Sequence, residues 1–265
     1  MTRTDVRPRR HEAAFQHRQI EATDPAGGTE RLIYYMTHPS LSSTVASGEV
    51  PTGFSTHNAN MHKYVVSYWD KLAMAAGPTL SNATLTHLVV GATHYEGHAW
   101  SRNIPRAIKK PLESRVWYAY SGTDNLPLKI GRVLEGGGSQ VTEMTYNSRG
   151  QVTSRLDPLG RQTNYTYATN GLDLLQVEQV RIGGTDIIQQ YSNYNSQHLP
   201  GTITDAAGQD TDITYNSAGQ PLTVTNAKNE TTTYTYETGT SNLLTVTGPV
   251  SGATTTYAYD AYGWH

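Results

Sequence analysis

Five histidines, His57, His62, His87, His94 and His98, are the densest group of side chains here able to ligate a metal or relay a proton. His94 and His98 have the spacing that puts two imidazoles on one helix face as metal ligands. Tyr95 and Gly97 fall between them, and the strand-like run Thr86-His87-Leu88-Val89-Val90 precedes them, so strand or surface histidines are expected instead. His11-Glu12-Ala13-Ala14-Phe15 opens like a zinc-protease helix, but Phe15 stands where the second His is required. Asp205, Asp210 and Asp212 form a small acidic group that lacks the glycine and distal Glu of a calcium loop. A solvated turn and strand edge are predicted for them. Arg102, Arg106, Lys109, Lys110 and Arg115, with Pro105 and Pro111, could contact phosphate, although an exposed linker is the expectation. With no cysteine there is no thiol nucleophile, disulfide or cysteine-ligated cluster. No phosphate-cradling glycine loop and no nucleophile elbow occur. The chain therefore reads as non-enzymatic, with no cofactor and no metal.

The wider composition agrees. A formal net charge of −2 over 265 residues offers no basic field for nucleic acid. No apolar run approaches the ~20 residues of a membrane helix. The opening Met1–Phe15 is basic but has no apolar stretch after it, so it does not read as a secretory leader. Tyrosine dominates the aromatics, 18 against 2 Phe and 4 Trp, and 24 Gly and 12 Pro punctuate short segments. Tyr and Thr suit a pleated, half-buried surface, so many short strands joined by tight turns are predicted.

The elements follow from a repeat. Asx-led tetrapeptides recur at Asn147–Gly150, Asp157–Gly160, Asp205–Gly208, Asn216–Gly219 and Asp260–Gly263. Weaker copies are Asn195–His198 and Asn226–Asn229, and Asp24-Pro25-Ala26-Gly27 is an earlier one. A type I turn favours Asp or Asn first and Gly fourth, because the Asx oxygen bonds the backbone two residues on and the last residue takes a positive φ. Asn147 and Asp157, Asn195 and Asp205, and Asn216 and Asn226 each lie 10 residues apart. Six or seven residues remain between turns, about 20 Å of strand. Tyrosines mark a two-strand period: Tyr146 to Tyr167, Tyr194 to Tyr215 and Tyr215 to Tyr236 are each 21 residues. Tyr165/Tyr167, Tyr234/Tyr236 and Tyr257/Tyr259 place two rings on one face of a strand, with Thr on the other. Stacked in register, the tyrosines would form cross-strand ladders. Arg9–Ala22 has helical propensity, but its position before the Asp24 turn favours a strand.

These residues resemble the YD repeat of the RHS family. The resemblance is clearest in YNSRGQVTSRLDPLGRQTNYTY (Tyr146–Tyr167) and YNSAGQPLTVTNAKNETTTYTY (Tyr215–Tyr236), with Tyr-Asn standing for most of the expected Tyr-Asp pairs. It implies an all-β fold in which two-strand units form a coiling antiparallel β-strip, as in toxin-complex shells, bacterial Rhs effectors, wall-associated members and teneurins. It implies a bacterial protein, secreted or at the cell surface, whose partners are the rest of the shell and an enclosed or presented C-terminal toxin. Residues 1–36 read as a partial unit, 37–115 as an irregular spacer, and 116–265 as the array. The array looks like a fragment, since Asp260–Gly263 opens a further unit where the sequence ends. The alternative is a carbohydrate- or receptor-binding surface, because Tyr-rich sheet faces can stack on sugars.

Overall fold

A computed structural model describes residues 2–5, 17–94, 98–122 and 125–260. The chain divides into two compact units, Met1–Met144 and Thr145–His265. Every strand pairing is antiparallel, and within each unit consecutive strands are neighbours, so the all-β strip expected from the sequence is the observed architecture.

The first unit contains β1 (Thr2–Asp5), β2 (His17–Thr23), β3 (Thr29–Thr37), β4 (Lys63–Trp69), β5 (Thr84–His94), β6 (His98–Lys109), β7 (Val116–Tyr120) and β8 (Pro127–Val133). The unit boundary falls inside β9 (Ser139–Tyr146). The part of Arg9–Ala22 that is described, from His17 on, is strand; His11–Phe15 lies outside the described residues. Among the described residues helix is confined to α1 (Lys71–Ala75), capped by Asp70, whose Oδ1 accepts the Ala73 N–H at 2.8 Å, and to three 3₁₀ turns.

All buried side chains of the described residues lie in this unit, and the apolar ones include two packed clusters. Ile33, Trp69, Ala73, Ala83 and Leu85 form one; Phe54, Met61, Ala107 and Trp117 form the other. The second exists because the strandless segment 38–62 folds back over β6 and β7. Asn58 fixes its course by accepting from Val45 N at 2.8 Å and donating to Val45 O at 3.0 Å. Trp117 Nε1 donates to Glu49 O at 2.8 Å, which leaves the indole N–H satisfied inside the core. Gly131 on β8 makes room for the plug: a Cβ there would lie 2.7 Å from the Phe54 ring.

The second unit runs through β10 (Val152–Leu156), β11 (Gln162–Tyr167), β12 (Leu174–Arg181), β13 (Gly184–Ser192) and β14 (Thr202–Asp205). It continues with β15 (Asp210–Tyr215), β16 (Pro221–Thr225), β17 (Thr231–Tyr236), β18 (Leu243–Thr247) and β19 (Thr254–Thr256). None of its described residues is buried; the better covered ones are only half-buried. Strand alternation is therefore visible without a core, as in Asp210–Tyr215, where exposed and half-buried positions alternate along the whole strand.

Candidate functional site

The second unit presents a wall, and its geometry is built from two devices that repeat. The first is the bend. In Asn147–Gln151 the Asn147 Oδ1 accepts from Arg149 N at 2.9 Å and Gln151 N at 3.0 Å, while Gly150 N donates to Asn147 O at 3.0 Å. The same bonds occur at Asp157, Asn195, Asp205, Asn216 and Asn226, and at Asp24 in the first unit. The fourth residue is left-handed each time: φ is 82° at Gly150, 78° at Gly160, 76° at Gly208 and 81° at Gly219, and 62° at both His198 and Asn229. Leu134–Gly138 makes the two backbone bonds of this bend without an Asx residue, which sequence matching could not find. Asp260 is described, but Gly263 lies outside the described residues.

The second device is a tyrosine tether at the opposite end of each hairpin. Tyr167 Oη donates to Val152 O at 3.0 Å, Tyr194 to Leu174 O at 2.5 Å and Tyr215 to Pro200 O at 3.0 Å. Tyr236 reaches Pro221 O at 2.9 Å, and Tyr259 reaches Leu243 O at 3.0 Å. Each ring thus spans from the end of one strand to the beginning of its hairpin partner. At Tyr167, Tyr215 and Tyr236 the pairing with the following strand also shifts register. Burial pushes the Tyr167, Tyr194, Tyr215 and Tyr236 phenols above their ordinary range, which favours the protonated donor. The first unit contains a further copy, with Tyr120 Oη 2.7 Å from Pro105 O and a register shift at Tyr120. Its signal was the Tyr118-x-Tyr120 pair, which the sequence reading passed over.

The tyrosine ladder expected from the sequence is not what forms. Tyr165 stands opposite Val177, Tyr234 opposite Val246, and Ile213 opposite Val224. The reason is topological: each two-strand unit contributes one tyrosine strand and one aliphatic strand, so neighbouring rings are separated by a strand of Val or Leu. The half-buried face is a mixed aromatic–aliphatic surface, and Tyr146 and Tyr257 are also half-buried. The reverse face is threonine. Thr214, Thr223, Thr233, Thr247 and Thr254 are successive cross-strand partners over five strands. Hydroxyls meet at 2.6 Å for Thr214 with Thr223, 2.9 Å for Thr225 with Thr231 and 2.6 Å for Thr235 with Thr245.

The candidate chemical groups are dispersed or consumed. Asp210 accepts from Thr204 Oγ1 at 2.6 Å, Asp212 from Thr202 Oγ1 at 2.7 Å, and Asp205 holds its own bend. His94 and His98 are register partners on β5 and β6, not helix neighbours. Among the described residues no three His, Asp or Glu gather as a metal site. The basic stretch corrects its expectation. Arg106 and Arg115 are not in an exposed linker but buried, 7% and 8% exposed, because β6 and β7 form the floor under segment 38–62. His87, 1% exposed, donates from Nδ1 to Met61 O at 2.7 Å and accepts at Nε2 from Arg115 Nη1 at 2.8 Å; the carbonyl can only accept and the guanidinium only donate. Arg115 continues to Glu49 at 3.4 Å. Burial, and then the neighbouring Arg115 charge, lowers His87 to about 3, so it is a neutral structural imidazole.

A family model described as RHS Repeat matches residues 215–249, from the last residue of β15 through β16, β17 and β18, with the Asn216 and Asn226 bends and the tether tyrosines Tyr215 and Tyr236. No curated protein matches the chain by sequence. Solved structures match this chain over nearly its full length. A TcdB2-TccC3 crystal structure lacking the hypervariable C-terminal region matches at TM-score 0.56 and 11% identity, over 92% of this chain and 12% of that one. TcdB2-TccC3-Cdc42 gives 0.58 and 10% identity, over 94% and 13%. A mutant Tc holotoxin pore of Photorhabdus luminescens gives 0.56 and 10% identity, over 93% and 12%. The likeness is one of fold, and this chain spans only 12–13% of those chains.

Proposed function

We propose that this chain supplies a stretch of wall in an RHS-type shell, which encloses or presents a passenger polypeptide at or beyond the surface of a bacterium. The wall acts mechanically and does no chemistry. The observation that carries the reading is that the second unit has no buried residue among those described, yet each of the hairpins β10–β11, β14–β15 and β16–β17 is fastened at both ends by its own side chains. Such a strip gains stability from neighbour to neighbour and can line a space without filling it. The shared fold with TcdB2-TccC3 structures supports the same reading. The passenger is proposed to be a toxin, by the family resemblance.

The test is to tag the chain in its native host, purify the assembly and combine negative-stain microscopy with protease titration. A hollow particle whose passenger resists protease until the wall is cut is expected. A solitary strip with no passenger, or a passenger digested at the rate of free polypeptide, would overturn the proposal.

A further inference from the structure

The first unit contains a cleft of about 240 Å³ lined by Thr56, His57, Val89, Val90, Arg106, Tyr118 and Tyr120. Four elements build it: the 3₁₀ turn Ser55–His57, the middle of β5, and the adjoining strands β6 and β7. Among the described residues Arg106 is its only charged wall. The guanidinium is held by backbone alone, Nη1 donating to Ala59 O at 2.5 Å and Nη2 to Asn60 O at 3.1 Å. Nε has no hydrogen-bond partner, although it is fully buried. No carboxylate among the described residues pairs with Arg106, and none lines the cleft. Arg115, just before β7, differs in this respect, because Glu49 answers its charge. A desolvated cation without a counter-charge is costly to hold, and the two carbonyls at 59 and 60 satisfy protons without cancelling charge. Desolvation lowers Arg106 to about 10, which leaves it cationic at neutral pH.

The remaining walls specify what an anion entering this cleft should look like. Tyr118 and Tyr120 are near-parallel, with centroids 6.4 Å apart and planes at 19°, and Val89 and Val90 line the cleft with them. Thr56 Oγ1 and His57 Nδ1, 3.3 Å apart, add a polar pair. An acceptor-only group would sit against Arg106, a flat body against the tyrosines, and a hydroxyl or ether against Thr56 and His57. The volume is below the range of drug-sized sites and suits a single ring.

We infer that the Arg106 cleft is a binding site for a small monocarboxylate carrying one ring. Two sources share that chemistry, an acidic sugar residue and a free aromatic acid, and the experiment separates them. The site is independent of the wall proposal, because it lies in the first unit and uses no residue of the repeats at 146–259.

The experiment is isothermal titration calorimetry of the full chain with glucuronate, phenylacetate, glucose and inorganic phosphate, each to millimolar concentration. One or both carboxylates should bind saturably and at least tenfold more tightly than glucose and phosphate. Glucuronate preferred would identify a sugar ligand, and phenylacetate preferred a free aromatic acid. Arg106→Gln should weaken the carboxylate at least tenfold. Because Arg106 also ties down residues 59 and 60, that variant is read only if its circular dichroism is unchanged. Tyr118→Leu gives the second measure: the ring-bearing carboxylate should lose affinity severalfold, while acetate, titrated alongside as a ringless carboxylate, is unaffected. No saturable heat from either carboxylate, or equal binding of glucose, would overturn the inference. So would carboxylate affinity that is indifferent to both substitutions.

Discussion

Gly208 stands where the chain turns left-handed, at φ 76°, with nothing within 4 Å of where a Cβ would sit. Space is therefore no obstacle to a side chain there, and conformation alone selects glycine. Gly208→Ala should lower stability by about 1–2 kcal/mol, the cost of an L-residue in the left-handed region. Asn229 occupies the same place at φ 62°, and Asn229→Gly should raise stability by a few tenths of a kcal/mol to about 1. Urea denaturation of both variants checks the pair, and a shift of the same sign in both would show that the bends do not share one geometry. His87 makes a different kind of prediction. The unfolded imidazole takes up a proton near 6.5, whereas the folded one resists until about 3. Between those values the unfolded state binds more protons, so stability is complete above about pH 6.5 and falls as the pH drops. The slope should approach about 1.4 kcal/mol per pH unit. Denaturation midpoints across pH 4–8 for the wild type and His87→Gln should diverge below about pH 6.5, and parallel curves would remove His87 from the acid response.

At the scale of the element, a hairpin here is fastened by an Asx oxygen at one end and a phenol at the other. Tyr236→Phe deletes only the bond to Pro221 O and keeps the ring. It should cost about 0.5–1.5 kcal/mol, the net worth of one such bond. The loss should appear as faster amide exchange at the Tyr236 end of β16–β17, with the Asn226 bend protected; uniform loss along both strands would show that the tether is not local. How much of this the sequence disclosed differs by device. The bends were legible because an Asx residue and a glycine three places later act through local bonds. The tethers were not, since a hydroxyl reaching back 15 residues leaves no mark beyond the tyrosine itself. Segment 38–62 was opaque for the same reason. It has no periodicity, and Phe54 and Met61 become core only because β6 and β7 lie beneath them. The same cover turned Arg106 and Arg115 from expected surface charge into buried cations.

For the whole molecule, the contrast between the units governs how it should unfold. The first has two buried clusters and the second, among its described residues, none. The second should therefore melt over a broad range, hairpin by hairpin, in the manner of a one-dimensional array, and the first in a sharper step. Among the described residues β19 is paired only with β18, through Thr254–Thr256. An unpaired strand edge of this composition invites another chain. The isolated protein should show concentration-dependent association by light scattering, and Thr255→Lys should reduce it. A monomer at all concentrations would show that the edge is covered.

Fastening each hairpin by its own residues also has an evolutionary side. A module that needs no deep core can be duplicated or deleted by a single in-frame recombination, and its neighbours meet the same kind of border as before. Length then becomes adjustable, and one backbone course can be held by sequences that share only a tenth of their positions, as in this chain and the TcdB2-TccC3-Cdc42 structure.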